Sequence, residues 1–171
     1  MKICVLLAPG FEEVEALAPL DLMRRAGLDA ITVSIAEKEV TGSHGITIIA
    51  DKLCTEVSEN DFDAVVFPGG MPGSLNLDSS PFTDKIIDAV TKKCGKLAAI
   101  CAAPLILGRR NLLIGKKATC FPGFENELKG ALIDTAPVVT DGNITTGNGM
   151  ESALLFGKEL VKNFTNKTSG D

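Results

Sequence analysis

Apolar residues in this chain fall into compact blocks separated by polar, glycine-rich breaks. Lys2 to Ala8 is a continuous apolar run, as expected of a strand buried on both faces. Phe11 to Ala26 follows a helical period and stops at Gly27. Ala30 to Ala36 reads as a second strand, and Val40 to Ala50 holds the turn TGSHG followed by the β-branched run ITII. Asp63 to Phe67 (DAVVF) is again fully apolar and ends in PGG. Ser80 to Cys94 is helical, with Gly95 as its stop, and Leu97 to Cys101 is a third buried strand. Pro104 opens the next helix, since proline is tolerated in a first turn. Lys117 to Phe121, Val138 to Thr140 and Ile144 to Thr146 read as short strands, Glu151 to Phe164 as a closing helix, and NKTSGD as a frayed tail. Strands alternating with helices predict an α/β three-layer sandwich, a mostly parallel sheet with helices on both faces. Sites in such sheets lie beyond the carboxyl ends of the strands, near a topological switch point.

Composition narrows the function. The 171 residues fit one domain, and 45% hydrophobic content supplies its core. A net charge of −5 and the lack of Trp and Tyr argue against a nucleic-acid partner. The first apolar run is short and followed at once by acidic residues, so it reads as a strand and not a signal peptide, and no run is long enough for a membrane. Five cysteines without C-x-x-C spacing indicate neither disulfides nor a metal site, and point to a cytoplasmic protein with reduced thiols. With no G-x-G-x-x-G after a strand and no P-loop, no cofactor is expected.

Three strand ends carry candidate chemistry: APGFEEVE, FPGGMPG and ICAAP. Free cysteine is commonly a small buried hydrophobe. Cys101, however, ends a buried strand just before a helix, an elbow that exposes a nucleophile. The helix N-terminus is expected to lower its pKa. Ala102 and Ala103 leave room for the turn and for a substrate. Cys120, near a strand end, is the runner-up thiol, Cys4 reads as core, Cys94 ends a helix, and Cys54 sits in a polar connection. Glu12 and Glu13 suit a helix start, where carboxylates offset the dipole. At 100° per residue Glu15 shares the apolar stripe of Phe11, Ala18 and Leu22, so it points inward, where a carboxylate is costly unless paired or protonated. Pro19 deprives the Glu15 carbonyl of its helix partner, a second irregularity at that residue. The loop Pro68 to Gly73, with Gly69 and Gly70, offers amides to a developing oxyanion. His44, the single histidine, reads as a surface residue.

In order and spacing, the segments LLAPGFEEVEALAPLDLMRRAG, VVFPGG, AAICAAP, KKATCFPG and ITTGNG resemble the ThiJ/PfpI superfamily, in the branch of the parkinsonism-associated deglycases. The likeness runs over nearly the whole chain and implies one flavodoxin-like domain over 1–171, related to the class I glutamine amidotransferases and usually dimeric. It implies that Cys101 is the reactive cysteine and Glu15 its inward hydrogen-bonding partner. It places the amides of Gly70 and Ala102 around the site and Arg25 near the site of a dimer partner. It further implies a cofactor-free glyoxalase or deglycase acting on small reactive aldehydes such as methylglyoxal, or on their protein adducts. Other readings are a redox-sensing or chaperone-like stress protein, a role in thiamine (thiazole monophosphate) biosynthesis, and an amidase-like hydrolase. Three positions depart from the family. Phe121 stands where a histidine commonly precedes the proline, His44 where an arginine occurs, and Asn148 and Met150 where an arginine and a proline are frequent. Ala102 stands where protease-like members carry a histidine, which argues against peptidase activity.

Overall fold

The computed structural model describes residues 1–165; the tail expected to fray, 166–171, lies outside them. The chain opens with β1 (Lys2–Leu7) and α1 (Glu13–Arg25), then β2 (Asp29–Ser34), β3 (Glu39–Thr41), β4 (Thr47–Ile49) and β5 (Lys52–Leu53). Next come β6 (Ala64–Phe67), α2 (Gly73–Asp78), α3 (Pro81–Lys92), β7 (Lys96–Ile100) and α4 (Pro104–Arg109). The last elements are β8 (Lys117–Ala118), β9 (Leu132–Ile133), β10 (Val138–Asp141), β11 (Ile144–Gly147) and α5 (Ala153–Thr165).

Seven strands form the central sheet in the order β10-β11-β7-β6-β1-β2-β5, parallel throughout except for the β10–β11 hairpin. The continuous apolar runs follow from burial on both faces. In β1, Ile3, Val5 and Leu7 face one side and Cys4, Leu6 and Ala8 the other, the period-2 alternation of a strand. α1 and α5 cover the first side through Ala16, Leu20, Met23, Phe156 and Leu160. α3 and α4 cover the second through Ile86, Val90, Leu105 and Ile106. The result is the expected flavodoxin-like sandwich.

Two details depart from the sequence reading. The strand expected over Lys117 to Phe121 is only Lys117–Ala118, and it pairs with β9 in a separate two-stranded sheet. Pro19 marks packing as much as a site: it lies against α5, where a Cβ on Gly157 would stand 2.9 Å from its Cα. β1 runs to β2 on one side and pairs β6 on the other, so the sheet's switch point lies between β1 and β6. The carboxyl ends of β1, β6 and β7 meet there.

Candidate active site at the strand ends

The chain turns sharply after β7. Cys101 has φ +66°, in the left-handed region that a non-glycine residue rarely adopts. The surroundings fix it there. Its N–H donates to the Gly147 carbonyl (2.9 Å), its carbonyl accepts from the Phe121 N–H (2.8 Å), and the Ala103 N–H closes the turn onto Ile100 (3.0 Å). The elbow holds the side chain half-buried at the sheet's edge, with the amides of Ala102 and Gly70 directed at the sulfur.

α1 delivers the second group. Glu15 is 1% exposed. Its Oε2 accepts from the Gly69 N–H at 3.0 Å, and its carboxyl hydrogen-bonds the Cys101 thiol. The Gly69 amide is therefore engaged by Glu15 and is not free for an oxyanion, as the sequence reading had it. The loop after β6 admits only glycine. A Cβ on Gly69 would stand 2.5 Å from the Cys101 Cβ, and Gly70 has φ +92° with the Gly10 carbonyl 2.6 Å from where a Cβ would lie.

Burial and the nearby Glu12 charge raise the Glu15 pKa to about 7, against the opposing Cys101 and Gly69 hydrogen bonds. Burial and the Glu15 charge push the Cys101 thiol up to about 12. The sequence had suggested a thiol made acidic by a helix N-terminus. The Ala102 and Gly70 amides do act in that direction, but burial and the facing carboxylate outweigh them. The two acids thus form a coupled pair whose easier proton leaves near neutrality. Burial also raises Cys120, to about 11.

The other acidic residues of this turn stand at the start of α1, as expected, and are also buried. Glu12 caps α1, its Oε2 accepting from the Glu15 N–H (2.7 Å). Glu13, 3% exposed, accepts from the backbone N–H groups of His44 (2.8 Å) and Ile46 (3.3 Å) and meets His44 Nδ1 at 3.1 Å. His44 is exposed, as expected, but it is built into the rim of the site, which its position in sequence did not reveal. Glu12, Glu13 and His44 offer ligand atoms within 4.8 Å of one another, the one such cluster among the described residues. Glu13's bonds to the loop account for the grouping as the lock between α1 and the β3–β4 turn. Arg25 is not at this site: it lies at the far end of α1, exposed and paired with Asp21 (2.6 Å). Ten residues of helix separate it from Glu15, about 15 Å.

Residues 1–163 match the DJ-1/PfpI family. The chain belongs to that family. Among the relatives of this DJ-1/PfpI protein is Protein DJ-1 homolog B of Arabidopsis thaliana, 35% identical over 97% of the chain; the match spans only 39% of that longer protein. A protein of Thermococcus kodakarensis named a deglycase is 34% identical, covering 95% of this chain and 98% of its own. The structure of oxidized DJ-1 from Toxoplasma gondii superposes with a TM-score of 0.91 at 32% identity, covering 97% of this chain and 91% of that one.

Proposed function

We propose that this DJ-1/PfpI protein is a cofactor-free, cysteine-dependent enzyme acting on reactive aldehydes such as methylglyoxal, or on their protein adducts. The observation that carries the reading is the pairing of the half-buried Cys101 thiol with the buried Glu15 carboxyl, with amide donors on Gly70 and Ala102. A carboxyl with a pKa near 7 is matched to proton transfer at neutral pH. The Glu15 carboxylate takes the thiol proton as sulfur adds to the aldehyde carbon, and returns it to the oxygen, giving a hemithioacetal. The amides stabilise the oxyanion in passing. Glu15 then carries the proton of the former aldehyde carbon to the neighbouring carbonyl carbon, while the hydroxyl proton passes from the first oxygen to the second through an enediol. One carbon is oxidised to a thioester and the other reduced to an alcohol, so no external oxidant is needed. Water displaces the sulfur, releasing lactate and restoring the thiol.

The test is purified protein with methylglyoxal and no glutathione, following D- and L-lactate beside Cys101→Ala. Lactate formed by the wild type and not by the variant is expected. No lactate from the wild type rejects glyoxalase chemistry; release of methylglyoxal adducts from a glycated peptide then tests the deglycase form. If both fail, a redox role is the better reading, and one observation favours it. Cys101 packs with the core on one face of the sheet, and Cys4, Cys54 and Cys120 pack with the core on the other, which disfavours capture of a sulfenate by one of them as a disulfide. Peroxide should then carry Cys101 to the sulfinate, read by mass spectrometry of its peptide; a Cys101–Cys120 disulfide would refute this.

The same reading takes the protein as a cytoplasmic homodimer in which Arg25 reaches the partner's site. No helix among the described residues is long and apolar enough to cross a membrane. Light scattering tests the dimer, and a monomer rejects any role for Arg25 in trans.

A further inference from the structure

The segment from Lys117 to Phe121 pairs as a strand only over Lys117–Ala118, yet its hydrogen bonds keep a strand's period beyond that point. The carbonyls of Lys116 and Ala118 accept from the N–H groups of Leu132 (2.8 Å) and Asp134 (2.9 Å). The N–H groups of Lys117, Thr119 and Phe121 turn the other way, toward the central sheet. Side chains receive the first two, and the elbow receives the third. Lys117 donates to Asp141 Oδ2 (2.8 Å), Thr119 to Thr146 Oγ1 (2.9 Å), and Phe121 to the Cys101 carbonyl (2.8 Å). The bond to Asp141 is exposed. The bond to Thr146 is buried, with Thr119 2% and Thr146 1% exposed. Thr146 shares a face of β11 with Ile144, which packs into the core, so a hydroxyl stands where that face calls for an apolar group. It also directly precedes Gly147, whose carbonyl accepts the Cys101 N–H (2.9 Å). The Thr146 hydroxyl thus joins the two segments that grip Cys101, one at its N–H and one at its carbonyl. A residue held at φ +66° stays there only while its surroundings hold it. A buried N–H stripped of its acceptor is costly, so loss of this hydroxyl drives the 119–121 segment out of place.

We infer that Thr146 is a positioning residue for Cys101: its hydroxyl replaces a strand partner for the 119–121 segment and so keeps the elbow clamped between Gly147 and Phe121. The inference rests on the aldehyde reading for its effect on turnover but not for the clamp, which is read from the thiol itself. Thr146→Val keeps the shape and removes the hydroxyl, and Thr146→Ser restores it. Thr32→Val is the matched control. Thr32, 3% exposed, also accepts a backbone N–H on its Oγ1, from Asp51 at 2.9 Å, but it lies on β2, with β7, β6 and β1 between it and β11. Alkylation of Cys101 by iodoacetamide is followed against pH in each protein. Glu15, with its pKa of about 7, should give the wild-type profile an inflection near neutrality. In Thr146→Val the sulfur leaves Glu15 and the amides, so the inflection should flatten. Its kcat for methylglyoxal should fall about tenfold or more, with KM within about threefold of wild type. Thr146→Ser should recover the profile and most of kcat. Thr32→Val should lower Tm and keep both. If the wild type turns over no methylglyoxal but the profile changes in Thr146→Val and returns in Thr146→Ser, the aldehyde reading fails and the clamp stands. A wild-type profile in Thr146→Val, no recovery in Thr146→Ser, or an equal change in Thr32→Val overturns the clamp. Should Thr146→Val not fold, amide hydrogen exchange in the wild type decides. The Thr119 and Phe121 N–H groups should exchange as slowly as that of Cys101, within about tenfold, and free exchange at Thr119 overturns the assignment.

Discussion

Two regions of this protein bury acidic groups, and they treat them oppositely. Between α2 and α4, Asp78 lies between Arg109 and Arg110, 2.6 Å from each. Arg109 also holds Glu127, and Arg110 holds Asp84, both at 2.8 Å. Hydrogen bonds from Arg109 keep the Glu127 carboxyl below its ordinary range. At the strand ends, Glu15 is more deeply buried and has no cation in hydrogen-bonding contact. Its partners are an amide and a second acid, its neighbours are Glu12 and Glu13, and its pKa rises to about 7. Where charge serves the fold, it is neutralised in place. Where the fold leaves an acid uncompensated beside a strained thiol, the group is poised to exchange a proton near neutral pH. The elbow adds to the contrast, since Cys101 holds a disfavoured backbone conformation that only its surroundings maintain.

The largest effect should come from making Glu15 unable to carry a proton. Glu15→Gln keeps an acceptor for the Gly69 amide and nearly the same volume. General acid–base catalysis contributes about 10²–10⁴-fold, so aldehyde turnover should fall on that scale, while Arg110→Ala leaves kcat/KM within about twofold. Wild-type turnover by Glu15→Gln would erase the distinction between the two regions.

The second test reads the same carboxyl through stability. Its folded pKa of about 7 lies above its ordinary value of 4.5. The native state therefore holds this proton more tightly than the unfolded chain does. The group has no effect below pH 4.5, destabilises increasingly as pH rises, and reaches its full effect above 7. That separation corresponds to about 3 kcal/mol. Urea unfolding of wild type and Glu15→Gln should match near pH 4 and diverge by about this amount by pH 8, the variant being the more stable. Curves that stay parallel would mean that Glu15 is not held up by burial.

How much of this was legible in the sequence follows from how local each cause is. The parallel sheet was readable because strands buried on both faces must be apolar at every position, as VLLA, AVVF and LAAI are. Glu15 was readable because its spacing from Phe11 places it on the inner stripe of a helix. Glu13 was not, because the groups that make its burial tolerable are backbone amides of a turn 31 residues away. The same distance hid His44 from its place at the rim. The balance at Cys101 is hidden from the sequence for a related reason. Strand-then-helix spacing announces favourable amides, but it does not weigh them against desolvation and a carboxylate arriving from another element. Lys117 to Phe121 read as a strand from composition alone, and its short pairing with Leu132–Ile133 depends on a segment that carries no strand pattern of its own.

A smaller effect is expected from the compensated region. Arg110 is 20% and Asp78 16% exposed at the side chain, so the pair is partly shielded from water. Arg110→Ala removes one partner of Asp78, a bond to the Asp78 carbonyl and the contact with Asp84, while Arg109 keeps Asp78 paired. Charged hydrogen bonds of this kind contribute about 1.5–3 kcal/mol, so unfolding should become easier by about 2 kcal/mol. Tm should fall by roughly 4–8 °C for a domain of this size. A fall in aldehyde turnover without a fall in Tm would show that this cluster reaches the site and is not purely structural.

The smallest effect belongs to His44, the cation among the described residues whose charge acts on Glu15. His44 is 70% exposed at its side chain, with Nδ1 3.1 Å from Glu13 and 3.8 Å from Glu12. Its charge lowers the Glu15 pKa, as the weakest of the influences on that group. Removing it should therefore raise the Glu15 pKa further and move the pH profile of Cys101 alkylation, and of turnover, to higher pH. Charges separated by a side chain's length across a wet surface interact by a few tenths of a kcal/mol, so the displacement in His44→Ala should be under about half a pH unit. It should shrink in high salt. The turn itself should hold, because Glu13 is bound chiefly through the backbone amides of His44 and Ile46, which the substitution keeps. Near-identical Tm values for wild type and His44→Ala at pH 8 would check this. A displacement of a full unit or more would make His44 a true counter-ion of the site, and Glu15 would then be compensated much as Asp78 is. A displacement to lower pH would mean that the histidine acts on Glu15 by something other than its charge.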